Sequence, residues 1–433
     1  MTKLPVLERV LETGRAELRL HDKKPRMSEA EARAEADRCL YCTDAPCIKA
    51  CPTEIDIPTF IKKIASQNVR GSAKTIFEQN IFGYSCSRVC PVEVLCEGSC
   101  VYTAWQHKPI SIGRLQRYAT ELATDDLTKP VPTPKSGGAK KVACIGAGPA
   151  SLAFAAYLAL EGHQATIFEK RALPGGLNTT GVAPYKLHAE DALREVEWVR
   201  SLGVAIETGA EISSGADLVA KYDAVFLGVG LGDDSKLGIP GEDGPGVLGA
   251  TAWIEEMKLK KGAASKLGRV VVIGGGNTAI DVARECAQLG AADVVLAYRR
   301  SAKEMSGYAH ELDGAKKDGV RIVTGVTPTS FERSTDGALQ AVRFTQAGGA
   351  DVELTCDLAA LAIGQSKLRS IANGFPGVAL DARGCVVAEA KTGKTGHPKV
   401  FAGGDCVNGG KEVVNAVAEG RDAARHLLAT WSA

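Results

Sequence analysis

Lys141-Val-Ala-Cys-Ile-Gly-Ala-Gly-Pro-Ala-Ser151 decides the fold of this chain. Val142 to Ile145 is a short apolar run that ends at a turn signal, the mark of a buried strand. It leads into Gly146-Ala147-Gly148-Pro149-Ala150-Ser151, then a helical stretch from Leu152 to Leu160, then a second strand, Ala165 to Phe168, ending in Glu169. Strand, glycine turn, helix, strand and terminal acid form a dinucleotide-binding module. Gly146 permits the tight turn, Gly148 with Pro149, Ala150 and Ser151 lets a pyrophosphate approach the helix N-terminus, and Glu169 takes the ribose hydroxyls. Ser151 stands where a third Gly or Ala is usual.

The module returns 128 residues later, counted from Gly146 to Gly274. Here Val270 to Ile273 is the strand, Gly274-Gly275-Gly276-Asn277-Thr278-Ala279 the turn, Ile280 to Leu289 the helix and Val294 to Tyr298 the second strand. The copy ends in Arg299-Arg300 instead of an acid. Such a basic end accommodates the 2'-phosphate of NADPH, and arginine also stacks on the adenine of NADH. Ala224 to Leu227 before Gly228, and Leu358 to Ile363 before Gly364, read as the strands where the chain crosses between the two nucleotide units. Val400 to Ala402 leads into Gly403-Gly404-Asp405 and a helix from about Glu412 to Leu428, with Val413 at its start. An acid after Gly-Gly ahead of a helix N-terminus closes an FAD site, and Gly175-Gly176-Leu177 makes a bend that lies along FAD. The FAD domain is therefore split, 139–245 and 371–433, around an NAD(P)H domain at 246–370.

Ahead of both modules stand eight of the 13 cysteines, as Cys39-x2-Cys42-x4-Cys47-x3-Cys51-Pro52 and Cys86-x3-Cys90-Pro91-x4-Cys96-x3-Cys100. Thiolates that converge from short loops hold iron-sulfur clusters, and in two-cluster runs the cysteine before proline serves the other cluster. Two interleaved 4Fe-4S sites follow, and spacing alone makes Cys86 the eighth ligand. Zinc also uses paired cysteines, but the Cys-Pro repeats and the x4 and x3 spacings favour iron. Ser28 with Glu31 forms a capping box that starts a helix running to about Arg38. Pro58 to Ser66, Ser72 to Gln79 and Ile112 to Leu122 have apolar residues at helical spacing. The fold class is thus α/β: a helical two-cluster domain, residues 1–138, closed by the Pro- and Gly-rich 129–138, then two Rossmann-like domains.

Composition narrows the functions. With Lys+Arg 52 against Asp+Glu 51 the net charge is +1, which gives no electrostatic case for nucleic acid or an anionic membrane. Neither a signal peptide nor a membrane-spanning apolar run is present, so the expected location is the cytoplasm, where clusters survive. Cys144, Cys286, Cys356, Cys385 and Cys406 contain no Cys-x2-Cys or Cys-x4-Cys pair, against a redox-active dithiol.

The combination resembles the flavoprotein subunits of bacterial dihydropyrimidine dehydrogenases and, more distantly, glutamate synthase small subunits. The resemblance rests on the two cysteine groups, Ile110-x-Ile112-Gly113-x2-Gln116, Gly146 to Ser151, and Phe401 to Asp405. It implies that Cys39, Cys42, Cys47 and Cys100 bind one cluster, while Cys51, Cys90, Cys96 and Gln116 bind the other. It also implies that Val89 lies near the flavin and that Lys186 replaces a family arginine at FAD, keeping the charge but losing the planar fork. Electrons would pass between NAD(P)H, FAD and the two clusters, to or from a partner redox subunit that carries the substrate site, in a hetero-oligomer. A dihydropyrimidine dehydrogenase is the first reading. Glutamate synthase, a 2-oxoacid oxidoreductase or a stand-alone NAD(P)H:ferredoxin or quinone reductase would use the same module. Replacing Arg299 and Arg300 by alanine should raise KM for NADPH far more than KM for NADH, because only NADPH brings a 2'-phosphate for guanidinium pairing. Steady-state kinetics with both nucleotides checks this, and equal KM values in the unaltered protein would refute it.

Overall fold

Two five-stranded parallel sheets repeat one construction in the computed structural model, which describes residues 11–125, 131–212, 214–262, 264, 267–346 and 348–432. The strands are β1 (Lys141–Ile145), β2 (Gln164–Glu169), β3 (Ala205–Thr208), β4 (Ala224–Leu227), β5 (Val247–Gly249), β6 (Arg269–Ile273) and β7 (Asp293–Tyr298). They continue with β8 (Arg321–Thr324), β9 (Val326–Arg333), β10 (Leu339–Gln346), β11 (Asp351–Thr355), β12 (Leu358–Leu361) and β13 (Val400–Ala402). One sheet runs β13-β4-β1-β2-β3, the other β5-β12-β6-β7-β8. In each, the strand that feeds a glycine turn, β1 or β6, is central, and a crossing strand, β4 or β12, pairs with it in parallel.

The helix Pro149–Leu160 is buried all round except at its first residue, because the first sheet covers one side and the helix Val413–Ser432 the other. An apolar helix of this kind has no solvent face to keep polar. Pro149 at its first position and Gly148 as its N-cap start it earlier than the expected Leu152. The second turn behaves alike, its helix running Asn277–Gln288. β12 stops at Leu361, short of the expected Ile363, because the chain there joins the other crossing. Gly232 N donates to Ser366 O, Ser366 N to Asp233 O and Ser235 N to Gly364 O, each at 2.9 Å. The two crossings are thus zipped together.

The N-terminal unit is built from the helices Glu29–Asp37, Ile57–Ala65, Val69–Gln79, Gly83–Val89 and Ile112–Thr124. The Ser28–Glu31 capping box is formed in both directions. Its core gathers Phe60, Ile61, Ile64, Ile76, Ile112 and Leu115, with Cys39, Cys47, Cys51 and Cys96 packed against it. Ala16 and Leu20 lie apart from this core, buried with Trp253, Met257 and Cys286 in the second sheet's unit. Sequence patterning did not anticipate the antiparallel sheet β11-β10-β9. Pro328 inside β9 and the exposed alternate residues of β11 hide its periodicity. Residues 1–10 and 126–130, and with the latter the start of the expected 129–138 break, lie outside the described residues. Among those described, no helix is long and apolar enough to cross a membrane.

Gly420 is where Val413–Ser432 crosses Pro149–Leu160, and a Cβ there would meet Ala150 O at 2.1 Å. Gly420→Ala must separate the helices, at a cost of roughly 1–3 kcal/mol or more by the usual penalty for overpacking. A lowered thermal midpoint is expected, with weakened FAD retention, since Ala150 lies in the first turn of the helix Pro149–Leu160; both are read from a melt that follows flavin release.

Candidate functional site

Gly146 has φ +85 and Gly274 φ +155, and each is pressed by the carbonyl of the residue that follows a crossing strand. A Cβ on Gly146 would lie 2.8 Å from Gly228 O, and one on Gly274 would lie 2.3 Å from Ala362 O. The second glycines differ. A Cβ on Gly148 would meet nothing nearer than Gly228 O at 3.8 Å, and one on Gly276 nothing nearer than Ser306 Oγ at 3.5 Å. No packing within the protein demands glycine there. What the missing side chains leave open is the approach to two helix N-termini, which fits the pyrophosphate of a dinucleotide.

Around the first turn, Glu169 accepts from Ala147 N at 2.7 Å and from Arg171 N at 2.8 Å, so the acid is held beside the glycines. Gly175 N donates to Ala147 O at 2.8 Å, and Gly176 sits so close that its Cβ would be 2.9 Å from Gly148 Cα. That brings Leu177, which opens a short helix, alongside the turn. Gly404, φ +78, packs on Ala150, with a hypothetical Cβ 3.0 Å from Ala150 Cβ, and donates its N–H to Glu419 at 2.6 Å. Asp405 follows it, its carboxyl raised by burial, and accepts from Lys411 N at 3.2 Å. Val413 opens the C-terminal helix just beyond. Ser151 is fully buried and its Oγ has no hydrogen-bond partner. It packs on Gly228 and can offer a ligand only its backbone N–H.

The second turn is covered by a segment that sequence reading missed. Gly307 N donates to Gly275 O and Tyr308 N to Asn277 Oδ1, both at 2.9 Å, which lays Ser306 to Tyr308 over the turn. Tyr308 Oη donates to Glu412 at 2.9 Å, tying this segment to the start of the C-terminal helix. The Gly175 N to Ala147 O bond is its counterpart in the first module, and that likeness was the available signal. Thr278, Arg299 and Arg300 are exposed, and Arg300 lies over the Tyr298 ring at 5.5 Å. Lys186 is not at a glycine turn. It sits in the seam between the sheets' units, 2.7 Å from Asp281 and 3.1 Å from Glu311, where Lys23 also reaches Glu311 at 2.6 Å. Two carboxylates already balance its charge.

Cys39, Cys42, Cys47 and Cys100 line one apolar cavity with Ile57, Ile61 and Ile110. Burial, then the neighbouring Cys100 and Cys39, pushes Cys47 up to about 12. Four thiolates there would repel one another strongly, and a cationic cluster is the group that relieves this. Among the described residues no set of three or more His, Cys, Asp or Glu side chains is drawn tightly enough to hold a single metal ion. Cys96 is raised by burial, with Glu97, Cys51 and Cys90 adding to it, so Cys51, Cys90 and Cys96 form a second group. Cys51 Sγ lies 3.3 Å from Thr53 Oγ1. Gln116 is buried and donates Nε2–H to Gly83 O at 2.7 Å, so Oε1 is the atom it could offer to a ligand. Cys86 touches Cys90, and both pack in the core of Phe77, Phe82 and Phe154, whereas Cys51 and Cys96 pack against the N-terminal core. Val89 ends the helix that delivers Cys90. Away from these groups, Cys144, Cys286, Cys356, Cys385 and Cys406 are all buried.

Glu195, fully buried in the helix Ala189–Ser201, is pushed up to about 8 by burial, against the lowering effect of its bonds from Ser85 and Tyr84. The folded state therefore keeps a proton that the unfolded chain releases, and this contribution to stability falls as pH rises from about 4.5 to about 8. Glu195→Gln has no such proton, so its thermal midpoint should gain on the parent's between pH 6 and 9. Parallel melting curves over that range would refute this assignment.

Comparison with known proteins agrees with this layout. Residues 17–127 match the family described as dihydropyrimidine dehydrogenase domain II, 4Fe-4S cluster, and residues 140–420 match the pyridine nucleotide-disulphide oxidoreductases. The glutamate synthase [NADPH] small chain of Escherichia coli is 33% identical over 93% of this chain and 92% of its own. The NAD-dependent dihydropyrimidine dehydrogenase subunit PreT of Escherichia coli is 34% identical over 94% of this chain and 96% of its own. Among solved structures, thioredoxin reductase of T. acidophilum superposes with a TM-score of 0.58 at 21% identity, over 68% of this chain and 100% of that one. That likeness concerns the fold alone.

Proposed function

Since the chain belongs to the pyridine nucleotide-disulphide oxidoreductase family and carries a 4Fe-4S domain of the dihydropyrimidine dehydrogenase type ahead of it, we propose that it is the electron-transfer subunit of a dihydropyrimidine dehydrogenase. Its partner would be a chain that holds the pyrimidine site. The observation that carries the reading is the union, in one chain, of two open helix N-termini with two separate thiol groups. Bound there, FAD would supply hydride acceptance from NAD(P)H and single-electron release to the clusters.

In this reading Gly146, Gly148, Pro149, Ala150, Ser151, Glu169, Gly176, Leu177, Gly404, Asp405 and Val413 hold FAD, with Val89 facing it from the cluster side. Gly274, Gly276, Asn277 and Thr278 hold the pyridine nucleotide, and Arg299 with Arg300 reads its ribose end. Lys186 acts by holding the two nucleotide units in register through Asp281 and Glu311. Cys39, Cys42, Cys47 and Cys100 take one cluster, and Cys51, Cys90, Cys96 and Gln116 the other. The absence of a paired dithiol among the remaining cysteines argues against disulfide reduction, and burial raises Cys144, Cys286, Cys356 and Cys406 out of the reactive range.

The equal likeness to a glutamate synthase small chain supports a second reading in which the partner is the large subunit of that enzyme. The two are separated by adding each kind of partner chain to the purified protein. NADPH- or NADH-dependent uracil reduction with a flavin-barrel subunit is the expected result. Glutamate formation with a glutaminase-containing subunit, and no uracil reduction, would overturn it. The ligand set has its own test. Cys86→Ala should keep about eight iron atoms per chain, two clusters of four, whereas loss of half the iron would return the eighth place to Cys86.

A further inference from the structure

Every residue that lines the first cysteine cavity falls between Cys39 and Ile112, so that site is built within the N-terminal unit. The second cysteine group is built differently. Two ionisable side chains from the flavin half reach into its surroundings, and both are almost wholly buried.

The first is Glu195. Its Oε1 accepts from Tyr84 N and Ser85 N, both at 3.2 Å, and Oε2 accepts from Ser85 Oγ. These are N–H groups of the first turn of the helix Gly83–Val89, which has no capping side chain of its own. A residue 110 positions away therefore caps it. The capped helix presents Gly83 O to Gln116 Nε2 at one end and finishes at Cys90 at the other.

The second is Arg421, on the C-terminal helix. Its Nη1 donates to the carbonyls of Thr53 and of Gln79, the latter at 3.0 Å, while Nη2 pairs with Asp422 at 2.7 Å. Thr53 follows Cys51-Pro52 directly and places its Oγ1 3.3 Å from Cys51 Sγ. The two arms thus end on opposite parts of one donor set, Gln116 and Cys90 on one side and Cys51 on the other.

We propose that Glu195 and Arg421 are positioning residues of the second cluster, so that its ligand geometry and reduction potential are set by the flavin domain. The first cluster answers to the N-terminal unit alone. Partners that orient ligands tune a metal centre nearly as strongly as the ligands do. Hydrogen bonds near the sulfurs and local charge shift cluster potentials. Removing the Arg421 charge should lower the second cluster's potential. Removing Glu195 leaves two buried N–H groups and a hydroxyl unsatisfied, which loosens the helix that orients Gln116.

The inference rests on the ligand set proposed above, and one experiment separates the two. The full-length protein, reconstituted with FAD and iron-sulfur clusters, is compared with Glu195→Ala, Glu195→Gln, Arg421→Met and Arg421→Lys. The readouts are electron paramagnetic resonance of the reduced clusters, a potentiometric titration, and iron and flavin content. Glu195→Ala and Arg421→Met should each alter the signal and potential of one cluster, leaving the other signal and the FAD content unchanged. Glu195→Gln, which keeps an acceptor, and Arg421→Lys, which keeps the charge, should restore most of the parent spectrum. Ser85→Ala and Thr53→Val test the same arms with minimal disturbance and decide the matter if the larger changes prevent folding. Unaltered spectra, or the parallel loss of both clusters and flavin in these mild variants, would overturn the inference. A Gln116→Ala protein whose clusters are unchanged would instead overturn the ligand set. A Gln116→Ala change in the same signal, with Glu195 and Arg421 variants silent, would leave the ligand set standing and reject this inference alone.

Discussion

A backbone carbonyl just past the end of a crossing strand presses on the first glycine of each dinucleotide turn, Gly228 O on Gly146 and Ala362 O on Gly274. No other residue fits, because the space a Cβ needs is filled by backbone, which cannot turn aside. The contact fixes each turn's shape, and the turn's shape aims the N–H groups of the following helix outward. It also fixes where the chain leaves each sheet. The two exits then pair with each other through the bonds between 232–235 and 364–366, and that pairing sets one nucleotide unit against the other.

Buried polar side chains hold the same seam from both directions. Lys258 is fully buried in the second unit and donates to the carbonyls of Asn178, Val182 and Leu187 in the first, at 2.8 to 3.0 Å. Lys186 and Tyr185 of the first unit reach back to Asp281 of the second, at 2.7 and 2.5 Å. Such networks contribute little net stability, because desolvation offsets most of the attraction. Their effect here is geometric. A shifted docking would strand a buried ammonium or carboxylate, so only one arrangement satisfies all of them. The position of one glycine turn relative to the other is thereby fixed.

The helix Gly83–Val89 has the same role between the cysteine groups and the first nucleotide unit. It carries Cys86 and Val89, delivers Cys90, is gripped at its start by Glu195, and reaches out through its own Arg88 to Asp191 at 3.1 Å and Asp22 at 3.4 Å. Three parts of the chain, from residues 22, 88 and 191, meet there. An iron-sulfur unit joined to a flavoprotein by a flexible linker alone would have no such fixed path.

Much of this was legible in the sequence for local reasons. Strand, glycine turn and helix follow one another within about twenty residues, and each step has its own chemical signal: an apolar run, a glycine without substitute, a proline at a helix start. The cysteine groups and the Ser28–Glu31 capping box are equally local. Composition and spacing therefore determined the fold class, the duplicated module and the cysteine groups. Only the tertiary structure decided what depends on residues far apart. Glu195 and Arg421 are ordinary helix residues in sequence, Lys186 is a lone lysine, and Ser306 to Tyr308 is an unmarked loop. Each acquires its role from a partner some thirty to several hundred positions away, and no local pattern encodes which buried group will lack a partner until the chain has closed around it.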